Sequence, residues 1–432
     1  MAVKLKKLKD QVIVITGASS GIGLVTARLA AKAGAKLVLA ARSQGPLAEL
    51  TDEITKAGGQ AIYVVADVGV QSDVQAVASA AIARFGGFDT WVNDAGVSIY
   101  GKVVDTPVED MRHLFETNYW GTVYGSLEAV KHLKTRGGAL INVGSTLSER
   151  AAILQSIYSS SKHAVKGFTD GLRMELALDN APISVTLIKP GPIDTPYTVN
   201  AKNYMDAEAR HPAPAYAPET VAKAILHCAE TPTREVFVGG GGRFIAALGV
   251  LAPSVSDAFM RKVFVPQSKL QQEPPSAKNA LDAPSDRLAE RGNYPGHTRE
   301  TSLYTFGKFH RPLTGALLLG AGLGYYLLTR GKDKPSDAPA SSPQTDAARA
   351  DQSSPVVVID TVEIVETPDG IDVVETVEVI EVTDFDNQEV PRRPLPPLPR
   401  RYSWNGPLNW IKRAVLLSKL LRGDSFPDKS WD

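Results

Sequence analysis

Between residues 10 and 240, short runs of apolar and β-branched residues alternate with longer stretches whose apolar residues have a helical spacing. Parallel strands need a crossover connection, so this alternation predicts successive right-handed strand–helix–strand units. It therefore predicts an α/β fold, a doubly wound parallel sheet of about seven strands with helices on both faces. The predicted strands are Val12–Thr16, Lys36–Ala41, Ala61–Ala66, Phe88–Val92, Ala139–Val143, Ile183–Ile188 and Glu235–Val238, and the clearest helical patterns are Leu24–Ala33, Ser72–Phe85 and Val108–Leu133.

A glycine-rich turn, Thr16–Gly23, lies between the first predicted strand and the first predicted helix. Glycines permit a tight turn and let the backbone approach a pyrophosphate, which binds at the N-terminus of the following helix. Glycine-rich turns also serve plain packing, but this position after a strand favours dinucleotide binding and a Rossmann-like sheet. Such a sheet binds its ligand beyond the carboxyl ends of the strands, where the strand order reverses.

Arg42 follows the second predicted strand, where a dinucleotide-binding sheet contacts the adenosine ribose. A carboxylate there would bind the 2′-hydroxyl and indicate NAD, but the stretch 40–43 contains no acidic residue. The planar guanidinium of Arg42 is suited to a 2′-phosphate. The sequence therefore predicts NADP(H), with an ordinary surface arginine as the alternative.

Ser145, Tyr158 and Lys162 form the second chemical signal. Tyr158 and Lys162 are four residues apart, so on a helix they project from one face. A free tyrosine has a pKa of about 10, and a neighbouring ammonium group favours the phenolate. Ser145, just after a strand, can donate a hydrogen bond to a carbonyl oxygen. A tyrosine–lysine pair alone is common on helix surfaces, but together with Ser145 and the glycine turn it indicates proton-transfer chemistry.

These motifs, taken in order, resemble those of the short-chain dehydrogenase/reductase superfamily over roughly residues 10–240. The matching pieces are Thr16–Gly23, Asp67 with Val68, Asn93–Gly96, Asn118, Ser145, Tyr158 with Lys162, and Pro190 with Gly191 and Thr195. One departure is visible, because the family usually has a second asparagine where this chain has Asp94. The charge of Asp94 leaves the detail of the cofactor-binding wall open.

The resemblance implies a role for each matching residue. Tyr158 would be the acid–base group, Lys162 would bind the nicotinamide ribose and lower the pKa of Tyr158, and Ser145 would orient the substrate carbonyl. Asn118 would hold a helix distortion and an ordered water, and it is the fourth residue of the implied catalytic set. The residues implied to bind the cofactor, among them Asp67 and Val68 for the adenine and Ile193 and Thr195 for the carboxamide, are Gly17, Ser19, Ser20, Gly21, Ile22, Gly23, Arg42, Asp67, Val68, Asn93, Ala95, Gly96, Tyr158, Lys162, Pro190, Gly191, Ile193 and Thr195.

The predicted function is that of an NADP(H)-dependent oxidoreductase that interconverts a carbonyl and an alcohol, on a lipophilic substrate. The alternative is a membrane-attached, NADPH-binding scaffold or redox sensor without significant turnover. The family resemblance also implies a homo-oligomer. No residue pattern in the loop 194–217 or in the flap 244–265, which would shape the substrate pocket, specifies a particular molecule.

Composition divides the chain into four parts. Residues 1–243 would form the catalytic domain, 244–310 a substrate-side flap and a polar linker, 311–330 a membrane helix, and 331–432 a mostly disordered tail. The membrane prediction rests on Pro312–Thr329, which has no charged residue over 18 positions, slightly short of a full span. Packing of this segment against the enzyme or a partner subunit is the alternative.

The tail contains three unusual stretches. In Val356–Val382, valine and isoleucine mix with acidic residues that recur at every third position from Asp360, a spacing that favours solvated disorder. A turn signal at Thr367–Gly370 makes a β-hairpin the alternative. Pro391–Arg401 is a stiff basic spacer or the docking site of a protein partner. Leu408–Arg422 is a basic amphipathic helix for a membrane surface or a protein.

Composition also excludes several classes of function. The single cysteine, Cys228, excludes an intrachain disulfide framework, and the seven histidines show no metal-ligand spacing, so no metal site is expected. Residues 331–432 contain 12 basic and 18 acidic side chains, which leaves the rest of this neutral chain at +6 and gives no broad basic surface for nucleic acid. The first apolar run is too short for a signal peptide. We therefore expect a membrane-associated protein with its catalytic domain in the cytoplasm, or else a soluble cytoplasmic protein.

Overall fold

The computed structural model describes residues 3–270, 278–292, 294–309, 356–367 and 370–380. The strands in chain order are β1 (Val12–Thr16), β2 (Lys36–Ala41), β3 (Gln60–Val65), β4 (Thr90–Asn93), β5 (Ile99–Tyr100), β6 (Gly138–Val143), β7 (Ile183–Pro190), β8 (Lys202–Asn203), β9 (Glu235–Val238), β10 (Val356–Thr367) and β11 (Gly370–Ile380). The helices are α1 (Gly21–Lys32), α2 (Gln44–Lys56), α3 (Gln71–Phe85), α4 (Val108–Phe115), α5 (Gly121–Arg136), α6 (Ser156–Leu178), α7 (Tyr197–Asn200), α8 (Pro218–Glu230), α9 (Gly240–Leu251), α10 (Pro253–Phe259), α11 (Val265–Gln267) and α12 (Leu303–Phe309).

Seven parallel strands form the main sheet in the order β3-β2-β1-β4-β6-β7-β9. The order reverses between β1 and β4, whose last residues Thr16 and Asn93 are register partners. The predicted doubly wound sheet is confirmed, and its crevice opens where the glycine turn leaves β1.

Two apolar cores cover the two faces of the sheet. Successive residues of a strand point to opposite faces, so Ile13 and Ile15 of β1 enter the core beneath α1 and α8, whereas Val14 enters the other core with Trp91. All five residues of β1 are buried. This burial on both faces explains why the strand is a continuous β-branched run instead of an alternating one.

The predicted helix Val108–Leu133 is interrupted. A π-helical turn, Glu116–Trp120, separates α4 from α5. Within this turn, Asn118 accepts a hydrogen bond from the Val97 N–H at 2.8 Å and donates to the Val97 carbonyl at 3.0 Å. These bonds with a loop distant in sequence compensate for the altered helical hydrogen bonds, and π-turns of this kind are frequent at functional sites.

Composition predicted a linker within residues 266–310, and that interpretation is wrong for the described residues 278–292 and 294–309. The Leu281 side chain is fully buried, and Ser302 and Thr305 are also buried. The Thr305 hydroxyl donates to the carbonyl of Phe237 at the end of the sheet. Apolar burial and satisfied backbone groups fix this segment to the unit that contains the main sheet, although most of its side chains are polar.

In the second compact unit, which starts after residue 333, the structure describes a single feature, the antiparallel pair β10–β11. The favoured prediction of disorder is wrong for these residues, and the alternative hairpin is confirmed. The register shifts between Ile359 and Thr361, so a bulge at Asp360 absorbs one residue of the irregular acidic pattern. The stretches 312–329, 391–401 and 408–422 lie outside the described residues. Across the ranges that are described, no helix has the length and apolarity needed to cross a membrane.

Candidate active site

The glycine turn lies at the crevice and requires glycine at two positions. Gly17 and Gly21 have φ values of +74° and +53°, which favour residues without a Cβ atom. A Cβ atom on Gly17 would also lie 2.8 Å from the Cα atom of Ala95. Gly17, Ser19, Ser20, Gly21 and Ile22 line a cavity of about 330 Å³ that runs along the carboxyl ends of the strands.

Arg42 and Asp67 mark the adenosine end of this cavity. The Arg42 guanidinium lies 4.0 Å from the Asp67 carboxylate and donates to the carbonyl of Ala280. Val68 lines the same wall. The structure therefore brings the residues assigned to the adenosine together at the ends of β2 and β3.

Two of the residues expected to bind the cofactor lie behind the cavity wall. Gly23 faces inward, where a Cβ atom would lie 2.3 Å from the carbonyl oxygen of Gly17, so this glycine permits the close packing of turn and helix. The Asn93 side chain is buried and accepts a hydrogen bond from the Trp91 indole at 2.7 Å, while it donates to Asn142 at 2.8 Å. Neither residue lines the cavity, so both support its wall, and their direct contact with a cofactor stays a prediction.

Asp94 and its successors reach the crevice. Asp94, Ala95 and Gly96 all line the cavity. The Asp94 carboxylate faces the backbone N–H of Gly23, and desolvation raises its pKa to about 7, although the charge of Lys162 opposes this increase. Asp94 is thus held beside Lys162 in a place that disfavours its charge.

Ser145, Tyr158 and Lys162 converge at the other end of the same cavity. Ser145 follows β6, and α6 carries Tyr158 and Lys162 one turn apart. The hydroxyls of Ser145 and Tyr197 are the polar groups that act on the Tyr158 hydroxyl. Lys162 Nζ donates to the Val143 carbonyl at 2.9 Å and lies 5.7 Å from the centre of the Tyr158 ring. Asn118, by contrast, is fully buried behind this group and donates to Ser161 at 3.2 Å.

The electrostatics of this group differ from the sequence-based expectation. Desolvation raises the pKa of Tyr158 to about 12, and the groups that oppose this increase are the hydroxyls of Tyr197 and Ser145. The expectation assigned that effect to Lys162. Desolvation also lowers the pKa of Lys162 to about 8, against the influence of Asp94. Burial is the dominant cause at both residues, because it penalises whichever form carries a charge.

Beyond Tyr158 the cavity becomes apolar. Six apolar side chains from the turn after β6 and from the flap after β9 line this end: Leu147, Ile245, Phe259, Met260, Val263 and Phe264. The flap predicted at 244–265 therefore supplies five of the six. The same cavity is lined by Pro190, which ends β7, and by Gly191, Ile193 and Thr195, which follow it.

A segment from the expected linker crosses the adenosine end. We call residues 279–292 the strap. Its Ala280 carbonyl accepts from Arg42, its Ser285 carbonyl accepts from Ser43 at 2.7 Å, and its Ala289 carbonyl accepts from the Gly21 N–H at 2.9 Å. Ala280, Pro284 and Ser285 line the cavity. The strap therefore contributes to the wall of the cleft.

Comparisons with known proteins find similar oxidoreductases. The family model described as short chain dehydrogenase matches residues 11–206. The chain is 50% identical over 326 residues to the uncharacterized oxidoreductase YxnA of Bacillus subtilis, an alignment that spans 74% of this chain and 91% of that protein. The chain is 34% identical to dehydrogenase/reductase SDR family member 7B of Xenopus tropicalis, over 59% of this chain and 85% of the relative.

The chain belongs to the short-chain dehydrogenase/reductase family. It is therefore an oxidoreductase of a family that uses nicotinamide cofactors. Among solved structures, the chain is similar to an alcohol dehydrogenase from Thermococcus sibiricus complexed with 5-hydroxy-NADP, at 24% identity and a TM-score of 0.47, over 52% of this chain and 95% of that one. A short-chain dehydrogenase/reductase from Mycobacterium marinum gives 26% identity and a TM-score of 0.48, over 55% and 96%.

The crevice fits a nicotinamide dinucleotide of the kind that the short-chain dehydrogenase/reductase family uses. The cradle at Gly17 has no room for a Cβ atom, and the cavity continues from Arg42 to Tyr158 in one space. Ser19, Ser20 and Ile22 would hold the pyrophosphate at the N-terminus of α1.

Sequence reasoning missed two elements of this family member's site, Tyr197 and the strap. Tyr197 lies in the loop 194–217 that was assigned to the substrate pocket, two residues after Thr195, but no fixed spacing relates it to Tyr158. The strap contacts the crevice mainly through backbone carbonyls, which leave no signature in the sequence.

Proposed function

We propose that the protein is an NADP(H)-dependent oxidoreductase that interconverts a carbonyl and an alcohol on a lipophilic substrate. The observation that carries this proposal is the convergence of Ser145, Tyr158 and Lys162 on the cavity that also receives the glycine turn. A serine donor, a tyrosine proton donor and a lysine beside a dinucleotide cradle are the parts that such a reaction requires. A scaffold or sensor without turnover would not require them.

The preference for NADP(H) is supported by Arg42. Its guanidinium lies at the adenosine end of the cavity and is less than one quarter exposed, at 23%. A partly desolvated guanidinium binds a phosphate group through two parallel hydrogen bonds, whereas a ribose hydroxyl gives it little to pair with. The Asp67 carboxylate, 4.0 Å away, balances the charge of Arg42. Asp67 does not occupy the position after β2, where an acidic residue would indicate NAD.

In the reduction direction, Tyr158 transfers its hydroxyl proton to the substrate oxygen. When bound, the nicotinamide cofactor supplies the hydride for the substrate carbon. Because burial raises the pKa of Tyr158 to about 12, the phenol keeps its proton near neutrality and is ready to act as the acid. Ser145 orients the carbonyl by hydrogen bonding, and Lys162 binds the nicotinamide ribose. In oxidation the proton moves back to the Tyr158 phenolate.

The substrate class is supported by the apolar end of the cavity. Leu147 and the flap residues Ile245, Phe259, Met260 and Phe264 offer an apolar wall next to Tyr158. An apolar compound gains about 25 cal/mol for each Å² that it buries on such a wall. A lipophilic ketone or aldehyde would therefore place its carbonyl at Ser145 and its apolar body against the flap.

A panel of carbonyl compounds tests the proposal, with the loss of NADPH absorbance as the readout. Lipophilic ketones and aldehydes should be reduced, and NADH should support a slower reaction at equal concentration. Absence of turnover with every compound, while NADPH still binds, would favour the scaffold or sensor.

Several predictions rest on the sequence alone. Membrane attachment through 312–329, a protein partner for 391–401 and a surface helix at 408–422 concern residues outside the described ranges. Assembly into a homo-oligomer also stays a prediction. Sedimentation of the full-length protein with membranes in high salt tests the first of these, because salt screens charges but leaves apolar burial intact.

A further inference from the structure

Tyr197 lies directly against the proposed proton donor. It opens the short helix α7, and its ring meets the ring of Tyr158 edge to face, at a centroid distance of 5.5 Å and an angle of 74°. The hydroxyls of the two residues also interact, and this interaction lowers the pKa of Tyr158 while it raises that of Tyr197. Both residues line the cavity. The proposed acid therefore has a second tyrosine hydroxyl beside it.

The oxygen of Tyr197 is held by Gln155. The Gln155 side chain donates to the Tyr197 oxygen at 2.8 Å and to the Ser98 hydroxyl at 3.3 Å. The Tyr197 oxygen thus accepts from Gln155, which leaves the proton of Tyr197 available for a hydrogen bond to Tyr158. Gln155 directly precedes α6, the helix that carries Tyr158. Gln155 and Tyr158, on either side of Tyr197, are therefore held by the same part of the fold.

The ring of Tyr197 is fixed from two further sides. His211 stacks on it with a centroid distance of 5.4 Å and an angle of 18°. Tyr100 meets it edge to face at 6.3 Å. This packing restricts the ring to one orientation, so the hydroxyl is placed before any substrate arrives, which is the condition for an effective hydrogen bond in catalysis.

The titratable groups around Tyr158 come from several elements. Asp94, from the turn after β4, raises the pKa of Tyr158 through its charge. Lys162 lies one helical turn further along α6. Burial raises the pKa of Tyr100 well above its usual value and lowers the pKa of His211 to about 4, so both are neutral near pH 7. The hydroxyls of Tyr197 and Ser145 oppose the increase in the pKa of Tyr158.

We infer that Tyr197 is a positioning residue that stabilises the phenolate of Tyr158, and this inference rests on the proposed function. In reduction the O–H bond of Tyr158 breaks, an O–H bond forms on the substrate oxygen, and the phenolate that remains keeps the hydrogen bond from Tyr197. In oxidation the same bond favours the phenolate that must accept the proton. Hydrogen bonds to a charged acceptor are stronger than those to a neutral one, so Tyr197 stabilises the phenolate form more than the phenol.

The test is the pH profile of Tyr197→Phe in the oxidation direction, with the full-length protein and saturating NADP. The variant keeps the ring and loses the donor, so the pKa seen in kcat/KM should rise by about 1 to 2 units. At neutral pH, alcohol oxidation should slow by about tenfold or more, because each unit removes nine-tenths of the remaining phenolate. NADPH affinity should stay at the parent value.

Two further variants make the comparison specific. Gln155→Met removes the donor to Tyr197 and should shift the pKa in the same direction by a smaller amount. Tyr204→Phe is the matched control, because the Tyr204 hydroxyl bonds to Asp110 away from the lining of the cavity. It should keep the pH profile of the parent.

The possible results separate this inference from the proposed function. A parent-like pH profile in a folded Tyr197→Phe variant overturns the inference and leaves the proposed function standing. The inference is also overturned if kcat and NADPH affinity of Tyr197→Phe fall together at every pH, because that pattern indicates a merely structural role. A parent protein without turnover on any carbonyl or alcohol overturns the proposed function and, with it, this inference.

Discussion

The backbone N–H of Gly21 donates to the carbonyl oxygen of Ala289 at 2.9 Å. This bond joins the first turn of α1 to the strap, which follows the main sheet in the sequence. An ion pair of 2.7 Å between Arg28 and Glu290 lies beside it. The strap therefore bridges the N-terminus of α1, which would hold a pyrophosphate. When a dinucleotide enters, either the strap must move or the dinucleotide must pass across it.

We expect the strap to slow the exchange of cofactor. Leu281 anchors it as a fully buried side chain in a cluster with Tyr158 and Leu114. Leu281→Ala removes buried contacts worth about 2–5 kcal/mol, so the strap should open more often and NADPH should dissociate faster. Stopped-flow displacement of bound NADPH measures this rate. Leu178→Ala, at a site that is 81% exposed, is the control and should leave the rate unchanged. Equal dissociation rates in Leu281→Ala and the parent would show that the strap does not restrict exchange.

The sheet could be predicted closely because its signals are local. The bounds of β1, β2 and β9 agree with the predicted runs to the residue, since continuous β-branched runs bounded by turns have few other structures available. The strap could not be predicted in this way. Leu281 is an isolated apolar residue in a polar stretch, and nothing in its sequence neighbourhood indicates that it is buried.

The candidate site was predictable to a similar extent. Ser145, Tyr158 and Lys162 come together as expected, because α6 and the end of β6 are adjacent elements of a regular fold. The family resemblance implied a cofactor contact for Asn93, but its buried side chain bonds with Trp91 and Asn142 within the core. Tyr197 was missed because its contact with Tyr158 depends on how a loop packs.

The preference for NADP(H) depends on Arg42. Removal of a charge-assisted hydrogen bond costs about 1.5–3 kcal/mol, so Arg42→Ala should weaken NADPH binding by roughly ten- to hundredfold. NADH lacks the 2′-phosphate, so its affinity should change little. Fluorescence titration with both cofactors checks this, and Arg234→Ala, whose side chain is 61% exposed, serves as the control. An equal loss of affinity for NADH and NADPH would mean that Arg42 does not bind the phosphate.

Asp94 should make the stability of the protein depend on pH. The pKa of its carboxyl group rises from 3.8 to about 7 in the folded protein, so the folded state holds a proton that the unfolded chain releases. The free energy of unfolding should therefore fall as the pH increases from about 4 to 7. Asp94→Asn has no carboxyl group to titrate and should show a flatter dependence over this window.

Chemical denaturation at both ends of that window measures the effect. Asp105→Asn, which replaces an exposed carboxylate, should retain the slope of the parent. If Asp94→Asn also retains that slope, Asp94 is charged in the folded protein at neutral pH, which contradicts its raised pKa.

The proton transfer assigned to Tyr158 is the central claim, and the turnover of Tyr158→Phe tests it most directly. Phenylalanine keeps the ring that packs on Tyr197 and removes the proton donor. Carbonyl reduction, followed as loss of NADPH absorbance, should fall by about a hundredfold or more, while NADPH affinity stays close to that of the parent. Turnover at the parent rate in a folded, NADPH-binding Tyr158→Phe variant would contradict the account.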